Sequence, residues 1–570
     1  MAFDLDDVKV VRPVNKPRPM PPPPGGTDDL STWPAFQEAV ANGKIPNLVG
    51  LPKVVVAAFL GQPNPKPKKI TAEKWATVVE AFRTKTDTDL ISSVLCSGLS
   101  KGQKAAFEAV RDFAGSRDPH RFFSLKGYAG TGKSFTLRRV TLYLDLIGSP
   151  WLLTAPTNKA VKVLQGFVPG ISKDKCKTIY STLKLTMTAD EDQQVLVDMA
   201  HDGYDSLGIL SGTLLVVDEA SMLNIQVVTK VKAVATDLGL RVLFTGDPDQ
   251  LRPVGEEKST AWELCEVPDS LFVKADTKPI RTVFLTEVRR FESALLELSV
   301  QLRAALRVAE NEGTYPNTKK LFPAVENEIR PCKTTEIFDA EILKLKSPND
   351  FRDTKVICWR NKSVDRYNTL IRNNLGFTDE YNVGDLLMLA QPKLQKVNYR
   401  RSIIIASVDE EVEVLAVRQR VHKPVSQYFP NLPQIDYWEL DTQTIDYADN
   451  KPLKPTINMP LAEDHGLEDA LQQMAAGAKR AGEMAYKDKQ NYRKHSEERK
   501  QRWREYWELR EVFTLVRFGY AITAHRAQGS SYANTYLDSR DIVCNPEVVE
   551  GTQCLLVGGT RARTSLTVLV

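Results

Sequence analysis

One octapeptide, Gly127-Tyr128-Ala129-Gly130-Thr131-Gly132-Lys133-Ser134, limits what this chain can fold into more than any other segment. It fits G-x-x-x-x-G-K-[ST], directly after the apolar run Phe122–Leu125 and before a helical run from Phe135. A strand, a glycine loop and a helix in that order predict a phosphate cradle at the carboxyl edge of a parallel sheet. Gly127, Gly130 and Gly132 let backbone N–H groups curl inward without Cβ clashes, and Thr131 completes the loop. Lys133 is expected to meet the β- and γ-phosphates, and the Ser134 hydroxyl to hold Mg²⁺. The fold class is therefore α/β.

Other runs support it. Trp151–Thr154, Leu214–Val217 and Val242–Phe244 read as further buried parallel strands, each followed by a polar or Gly-rich turn. Asp218 and Glu219 close the Leu214–Val217 run. Beside a phosphate loop, Asp218 suits Mg²⁺ coordination, and Glu219 suits orienting or deprotonating an attacking water. In isolation they would read as solvated turn residues. Gln250, in the turn Gly246–Leu251, can hydrogen-bond a γ-phosphate or its water. A second set of strands is predicted at Lys355–Trp359, Leu555–Val557 and Leu566–Leu569, so two α/β domains are expected. Strand-like pieces at Ile403–Ile405 and Val412–Val414, and a charged helical stretch from Leu467 to Val512, interrupt the second.

The expected boundaries are a Pro-rich flexible tail over 1–28, a helical accessory region over 29–95, and a first motor domain over 96–285 with an insertion at about 174–212. A second motor domain follows over 286–570, with a β and helical insertion at about 380–512. In the accessory region Trp75, Val78, Val79 and Phe82 share a helical face behind Thr71. The chain has 570 residues, a formal net charge of +4 and 7 cysteines. That charge permits nucleic-acid binding without arguing for it. The cysteines are scattered and include no Cys-x-x-Cys pair. They read as reduced thiols in a cytosol-like compartment, neither staples nor zinc ligands. No apolar run reaches the length of a membrane helix, and the first residues lack a secretory pattern. The expected location is cytoplasmic, in the host cytoplasm if the chain is phage-encoded.

The motifs together resemble those of superfamily 1 DNA helicases, the 1B subgroup of RecD/Dda-like enzymes. Gly127–Ser134, Asp218–Met222 and Gly246–Val254 look like the first three signature motifs. Leu99–Gln103 is similar to the adenine-reading motif, with Gln103 facing the base. Leu285–Arg290 resembles the fourth motif, whose Arg290 contacts the γ-phosphate. Val356–Asp365 resembles the stretch opening the second motor domain, Tyr520–Ser530 the fifth motif and Val557–Arg563 the sixth, with Arg561 as an arginine finger. Phe291, Arg360 and Tyr180 depart from the usual Gln, Thr and His. The resemblance implies two RecA-like P-loop domains, a small pin subdomain, an SH3-like β module with a helical arm, and ATP and Mg²⁺ as cofactors. It also implies that Arg290 and Arg561 both come from the second domain.

By the same resemblance, Pro156, Thr157 and Asn158 on the first domain and Thr523 and His525 on the second line a single-stranded DNA track. Hydroxyl, amide and backbone groups suit a phosphate backbone there without reading sequence. A pin is implied between about Thr186 and Ser211, with Met187 and Tyr204 as residues that could wedge a duplex. The expected substrates are single-stranded, forked or tailed DNA, with 5′ to 3′ movement in replication, recombination or repair, and no membrane. A replication or single-strand-binding protein could use the N-terminal region. Two alternatives stay open at this point: an RNA-directed helicase, and a nucleotide-switched binding or remodelling ATPase. Trp503, Tyr506 and Trp507 share one helical face. They either stack on a single strand or bury themselves on the β module.

Overall fold

Apolar strands buried on both faces need helices on each side, and the computed structural model shows this arrangement twice. It describes residues 77, 78, 80, 81, 84 and 88–570, without 117–119, 169–170, 173, 191–192, 199–203, 254, 257, 267–280, 288–293, 399–400, 407 and 445–452. The expectations for the tail, for nearly all of the accessory region, and for Arg290 and Phe291 therefore lie outside the described residues. The chain divides into two compact units, one through Glu292 and one from Ser293.

In the first unit, β1 (Phe122–Gly127), β2 (Trp151–Ala155), β3 (Cys176–Thr178), β6 (Leu214–Val217), β7 (Arg241–Gly246) and β8 (Thr282–Leu285) form a parallel sheet ordered β3-β2-β6-β7-β1-β8. Leu125, Leu153, Val216 and Leu243 are fully buried on one face, against the helix Lys133–Leu146. Leu215, Val217, Val242 and Phe244 pack on the other, under the helix Ile225–Asp237. Between β3 and β6, β4 (Leu185–Asp190) and β5 (Gln193–Asp198) pair as an antiparallel ribbon. Tyr204, just beyond it, is half-buried, and its hydroxyl accepts from Lys230 at 2.9 Å. It is thus anchored to the unit's core instead of standing exposed as a wedge. The side chain of Met187 lies outside the described residues.

The second unit is built on a parallel sheet of β9 (Ile329–Cys332), β10 (Thr354–Cys358), β18 (Ala521–Thr523), β19 (Tyr532–Asp538) and β20 (Ala562–Leu569), ordered β18-β10-β19-β20-β9. An antiparallel sheet of β11 (Leu386–Leu389), β14 (Glu411–His422), β15 (Ile435–Thr444), β16 (Thr456–Pro460) and β17 (Val516–Phe518) adjoins it. β12 (Lys393–Asn398) and β13 (Arg401–Ala406) form a separate ribbon. Asp385, with no exposure, ties the two sheets together. It accepts from Arg372 through Nε and Nη2 at 3.0 Å and from the Tyr520 hydroxyl at 3.0 Å. A buried carboxylate is stable there because charged and neutral donors compensate its lost hydration.

Two sequence expectations change. Leu555–Val557 is no strand. It lies in the helix Val548–Gly559, whose residues from Gly551 onward are all buried. A short apolar run gives no period to separate a buried strand from a helix buried all round. The charged stretch is two helices, Gly466–Lys487 and Tyr492–Val512, packed as a hairpin. Gly477 lets the Phe429 ring pack against the first of them, since a Cβ there would fall 2.2 Å from that ring. Tyr506 packs with Ile435, Met474 and Leu509, and Trp503 and Tyr506 meet edge to face at 5.2 Å. Burial thus accounts for most of that aromatic face; Trp507 remains 40% exposed.

Candidate nucleotide and nucleic-acid site

β1, β6 and β7 are adjacent or nearly so in the sheet, so three loops far apart in sequence emerge at one edge. The loop after β1 has left-handed backbone at Gly130 (φ 81°) and Gly132 (φ 86°). At Gly132 a Cβ would also fall 2.1 Å from Gln103 Nε2, so glycine is needed for both conformation and space. The Thr131 hydroxyl donates to the Tyr128 carbonyl at 2.8 Å. The Lys133 ammonium donates to the carbonyls of Gly127 at 2.6 Å and Tyr128 at 3.1 Å. Ser134 is half-buried in the first turn of the following helix.

Gln103 is 4% exposed. Its Oε1 accepts from Ser100 N at 3.0 Å in a capping box, and its Nε2 donates to the Thr131 carbonyl at 3.0 Å. It therefore braces the glycine loop. By hydrogen-bond count, one amide hydrogen and one lone pair remain for a base.

Asp218 follows β6, buried to 9% exposure. Burial pushes its carboxyl pKa up, while the nearby Lys133 ammonium and the Glu219 N–H pull it down; the net shift is upward. A buried carboxylate at the sheet edge beside the phosphate-loop lysine is the type of oxygen ligand a divalent cation takes. Ser134 and Asp218 are accordingly a chemically fitting pair for Mg²⁺. Glu219 adopts left-handed backbone (φ 51°, ψ 41°), a conformation that costs a non-glycine residue about 1–2 kcal/mol.

In the loop after β7, Asp247 falls within the third motif, Gly246–Val254, and no role was expected of it. Its Oδ2 accepts from Ala129 N in the glycine loop at 3.2 Å and from Gln250 Nε2 at 3.4 Å, and its Oδ1 from Asp249 N at 3.1 Å. One carboxylate thus joins the first and third motif loops. The remaining amide oxygen, Gln250 Oε1, is buried without a hydrogen-bond partner. That leaves an acceptor able to orient a water.

The expected track residues share one local device. Thr157, at the end of β2, caps the helix Asn158–Phe167 by accepting from Ala160 N at 3.2 Å. Thr523, at the end of β18, caps the turn Ala524–Ala527 by accepting from Arg526 N at 3.4 Å. In both places a hydroxyl hydrogen stays available beside a helix start, the arrangement that suits a phosphate oxygen. Pro156 and Asn158 flank the first cap, half-buried. His525 Nε2 lies 3.4 Å from Glu550 Oε1, and burial pulls the imidazole pKa down against the opposing effect of that carboxylate.

Arg561 is 5% exposed. Its Nε donates to the Val557 carbonyl at 3.0 Å, Nη1 to the Ser530 carbonyl at 3.0 Å and Nη2 to Thr560 Oγ1 at 3.1 Å. The structure thus holds the expected finger within the second unit, bridging the fifth and sixth motif segments.

Three comparisons with known proteins bear on this geometry. Residues 98–314 match the family model described as "AAA domain". The ATP-dependent DNA helicase dda of Enterobacteria phage T4 is 24% identical over 475 residues, covering 82% of this chain and 98% of the relative. An uncharacterized protein of Acanthamoeba polyphaga mimivirus is 23% identical over 489 residues, covering 78% and 95%. Among solved structures, Pif1 helicase from Candida albicans aligns at a TM-score of 0.40 and 14% identity over 83% of this chain and 94% of that one. Bacteroides Pif1 in complex with ADP-AlF3 and ssDNA aligns at 0.39 and 14% over 82% and 92%.

Proposed function

We propose that this chain is an ATP-dependent DNA helicase of the superfamily 1B, Dda-like type, hydrolysing ATP to move along single-stranded DNA and part the duplex ahead. The observation that carries the reading is the emergence of three motif loops at one sheet edge, the first and third of them joined by Asp247, which accepts from Ala129 N and Gln250 Nε2. Phosphoryl transfer needs mostly positioning and charge neutralisation, and this edge supplies both. Backbone N–H groups from Gly127 to Gly132 cradle the phosphates. Lys133 exchanges its carbonyl partners for β- and γ-phosphate oxygens. Ser134 and Asp218 hold Mg²⁺, which neutralises phosphate charge when bound. Glu219 takes a proton from the attacking water, and Gln250 orients that water through Oε1 while Asp247 fixes its amide. Arg290 and Arg561 stabilise the charge developing on the transferred group.

The second parallel sheet and its Thr523 cap favour a strand-tracking motor over a simple nucleotide switch, because a tracking motor needs phosphate contacts on two units. The match to a DNA helicase along nearly its whole length favours DNA; the 5′ to 3′ direction and a place in replication, recombination or repair rest on the resemblance of the motifs alone. Separating a base pair costs on the order of 1–2 kcal/mol of stacking, well within one hydrolysis event. The test is ATPase and unwinding on 5′-tailed, 3′-tailed and RNA duplexes in parallel. ATP-dependent separation of the 5′-tailed DNA alone is expected. Binding without separation would establish the switch, and preference for RNA would establish the other alternative. Lys133→Ala should abolish turnover while leaving DNA affinity within a few-fold; unchanged turnover would refute the phosphate assignment.

A further inference from the structure

We propose that His525, Glu550 and Cys554 form a binding site for one zinc-class divalent cation, a feature apart from nucleotide hydrolysis and beyond the helicase reading. Glu550 and Cys554 lie one turn apart on the helix Val548–Gly559 and so share a face; His525 sits on the turn Ala524–Ala527. The ligand atoms of all three lie within 4.8 Å of one another, and the imidazole Nε2 is 3.4 Å from the Glu550 carboxylate. Tetrahedral zinc with bonds of about 2.0–2.3 Å places its ligand atoms roughly 3.3–3.8 Å apart. The His–Glu pair already has that spacing, and the sulfur needs to close by about 1 Å at most.

Chemistry and charge fit as well. Imidazole, carboxylate and thiolate form a mixed set that borderline-soft zinc or cobalt takes in preference to Mg²⁺ or Ca²⁺. One thiolate and one carboxylate neutralise a dication, so a closed site in this half-buried position carries no net charge. The His525 imidazole supplies a nitrogen donor of the kind zinc takes, placed beside the Glu550 carboxylate. Cys554 is completely buried, which holds it as a thiol until a metal displaces its proton. On binding, the thiol proton would leave to solvent, the imidazole proton would move from Nε2, where it faces Glu550, to Nδ1, and three bonds to the cation would form. Water would complete the tetrahedron.

The wall of the cluster is also specific. The Tyr315 hydroxyl donates to the Asn545 carbonyl at 2.7 Å and stands over Gly551, where a Cβ would come within 1.9 Å of it. The sequence spacing of the cysteines gave no sign of this site, because only Cys554 takes part and its companions are not cysteines.

The test is a cobalt titration of the full-length chain carrying Cys544→Ser, which removes the exposed thiol as a competitor. One equivalent of Co²⁺ should produce a thiolate-to-cobalt charge-transfer band with tetrahedral ligand-field bands. Cys554→Ala should lose the charge-transfer band, and His525→Ala and Glu550→Gln should each weaken binding at least about tenfold. Thermal melting confirms that each variant is folded, and the partly exposed His525 and Glu550 keep the test valid if Cys554→Ala does not fold. No charge-transfer band at stoichiometric cobalt, or one that survives in Cys554→Ala, overturns the site and leaves a His–Glu contact beside an inert thiol. Because the readout is spectroscopic, its failure is distinguishable from failure of the helicase reading.

Discussion

Glu219 concentrates the conflict between stability and chemistry at a single residue. Its left-handed backbone is a conformation glycine accepts at little cost, so Glu219→Gly should raise the melting temperature by relieving about 1 kcal/mol of strain. The same variant and Glu219→Gln should both lose hydrolysis, by about 10²–10⁴-fold, with ATP affinity nearly unchanged. Steady-state ATPase alongside thermal melting separates the two effects; a variant that melts higher and still hydrolyses would remove Glu219 from the reaction. Asp218 makes a parallel case through charge. Its folded pKa lies above the ordinary carboxylate value, so protonation favours the folded state. The stability this gives is complete at pH below the unfolded value and is lost as pH rises through the folded one. Asp218→Asn should therefore melt higher than the parent at neutral pH yet lose Mg²⁺-dependent turnover by about 10²-fold or more. In the parent, protons should compete with Mg²⁺ at a higher pH than for an exposed aspartate, measured as the pH dependence of the Mg²⁺ concentration giving half-maximal ATPase.

At the scale of elements, Asp541 organises the turn between β10 and the helix Asn361–Asn374. It accepts from Trp359 N at 2.7 Å, Arg360 N at 2.9 Å, Arg360 Nε at 2.6 Å and Ser363 Oγ at 2.6 Å. Burial alone would raise its pKa, but the bonds from Ser363, Arg360 and Trp359 outweigh burial and hold the carboxyl below its usual value. Its contribution is thus present above the ordinary carboxylate pKa and disappears only as pH falls through the lower folded one. The turn adjoins the candidate track, since Cys358 pairs with Thr523. Asp541→Asn turns an amide NH₂ toward these donors. It should cost about 1–3 kcal/mol and weaken single-stranded DNA binding several-fold, with ATP affinity unchanged. Equal loss of both affinities, by fluorescence anisotropy and nucleotide titration, would instead mark a general unfolding. Neither Asp541 nor Asp247 could be assigned from sequence, because each acts on a loop more than a hundred residues away. What was legible was local: β1, β2, β6 and β7 announced themselves as apolar runs before turn residues, and Gly132 as part of a spaced motif. Leu555–Val557 failed because complete burial erases the period. The hairpin break near Asp488–Asn491 was hidden in uniformly charged sequence.

At the scale of the whole molecule, two units each carry a parallel sheet, and the second holds Arg561, the guanidinium proposed above to serve the transition state. Arg561 is held by the carbonyls of Val557 and Ser530 and by Thr560, so its position reports the arrangement of the fifth and sixth motif segments together. A group so placed is suited to coupling: whatever moves Ser530 or the helix Val548–Gly559 moves the charge as well. If that charge serves the transition state, its loss should appear in hydrolysis and not in binding. Arg561→Ala should keep ATP affinity within a few-fold and lower single-turnover hydrolysis by about 10³-fold, the scale of a finger supplying transition-state charge. Arg561→Lys should rescue little, because one ammonium cannot satisfy separated partners and a phosphoryl group in the way a planar fork can. A structural role predicts a different pattern, with a lowered melting temperature and parallel losses of nucleotide and DNA affinity as Val557 and Ser530 lose their donor. Measuring nucleotide affinity, single-turnover rate and melting on both variants distinguishes the two. Selective loss of ATP binding with a normal rate for the bound fraction would reject the finger and leave Arg561 as a brace within its own unit.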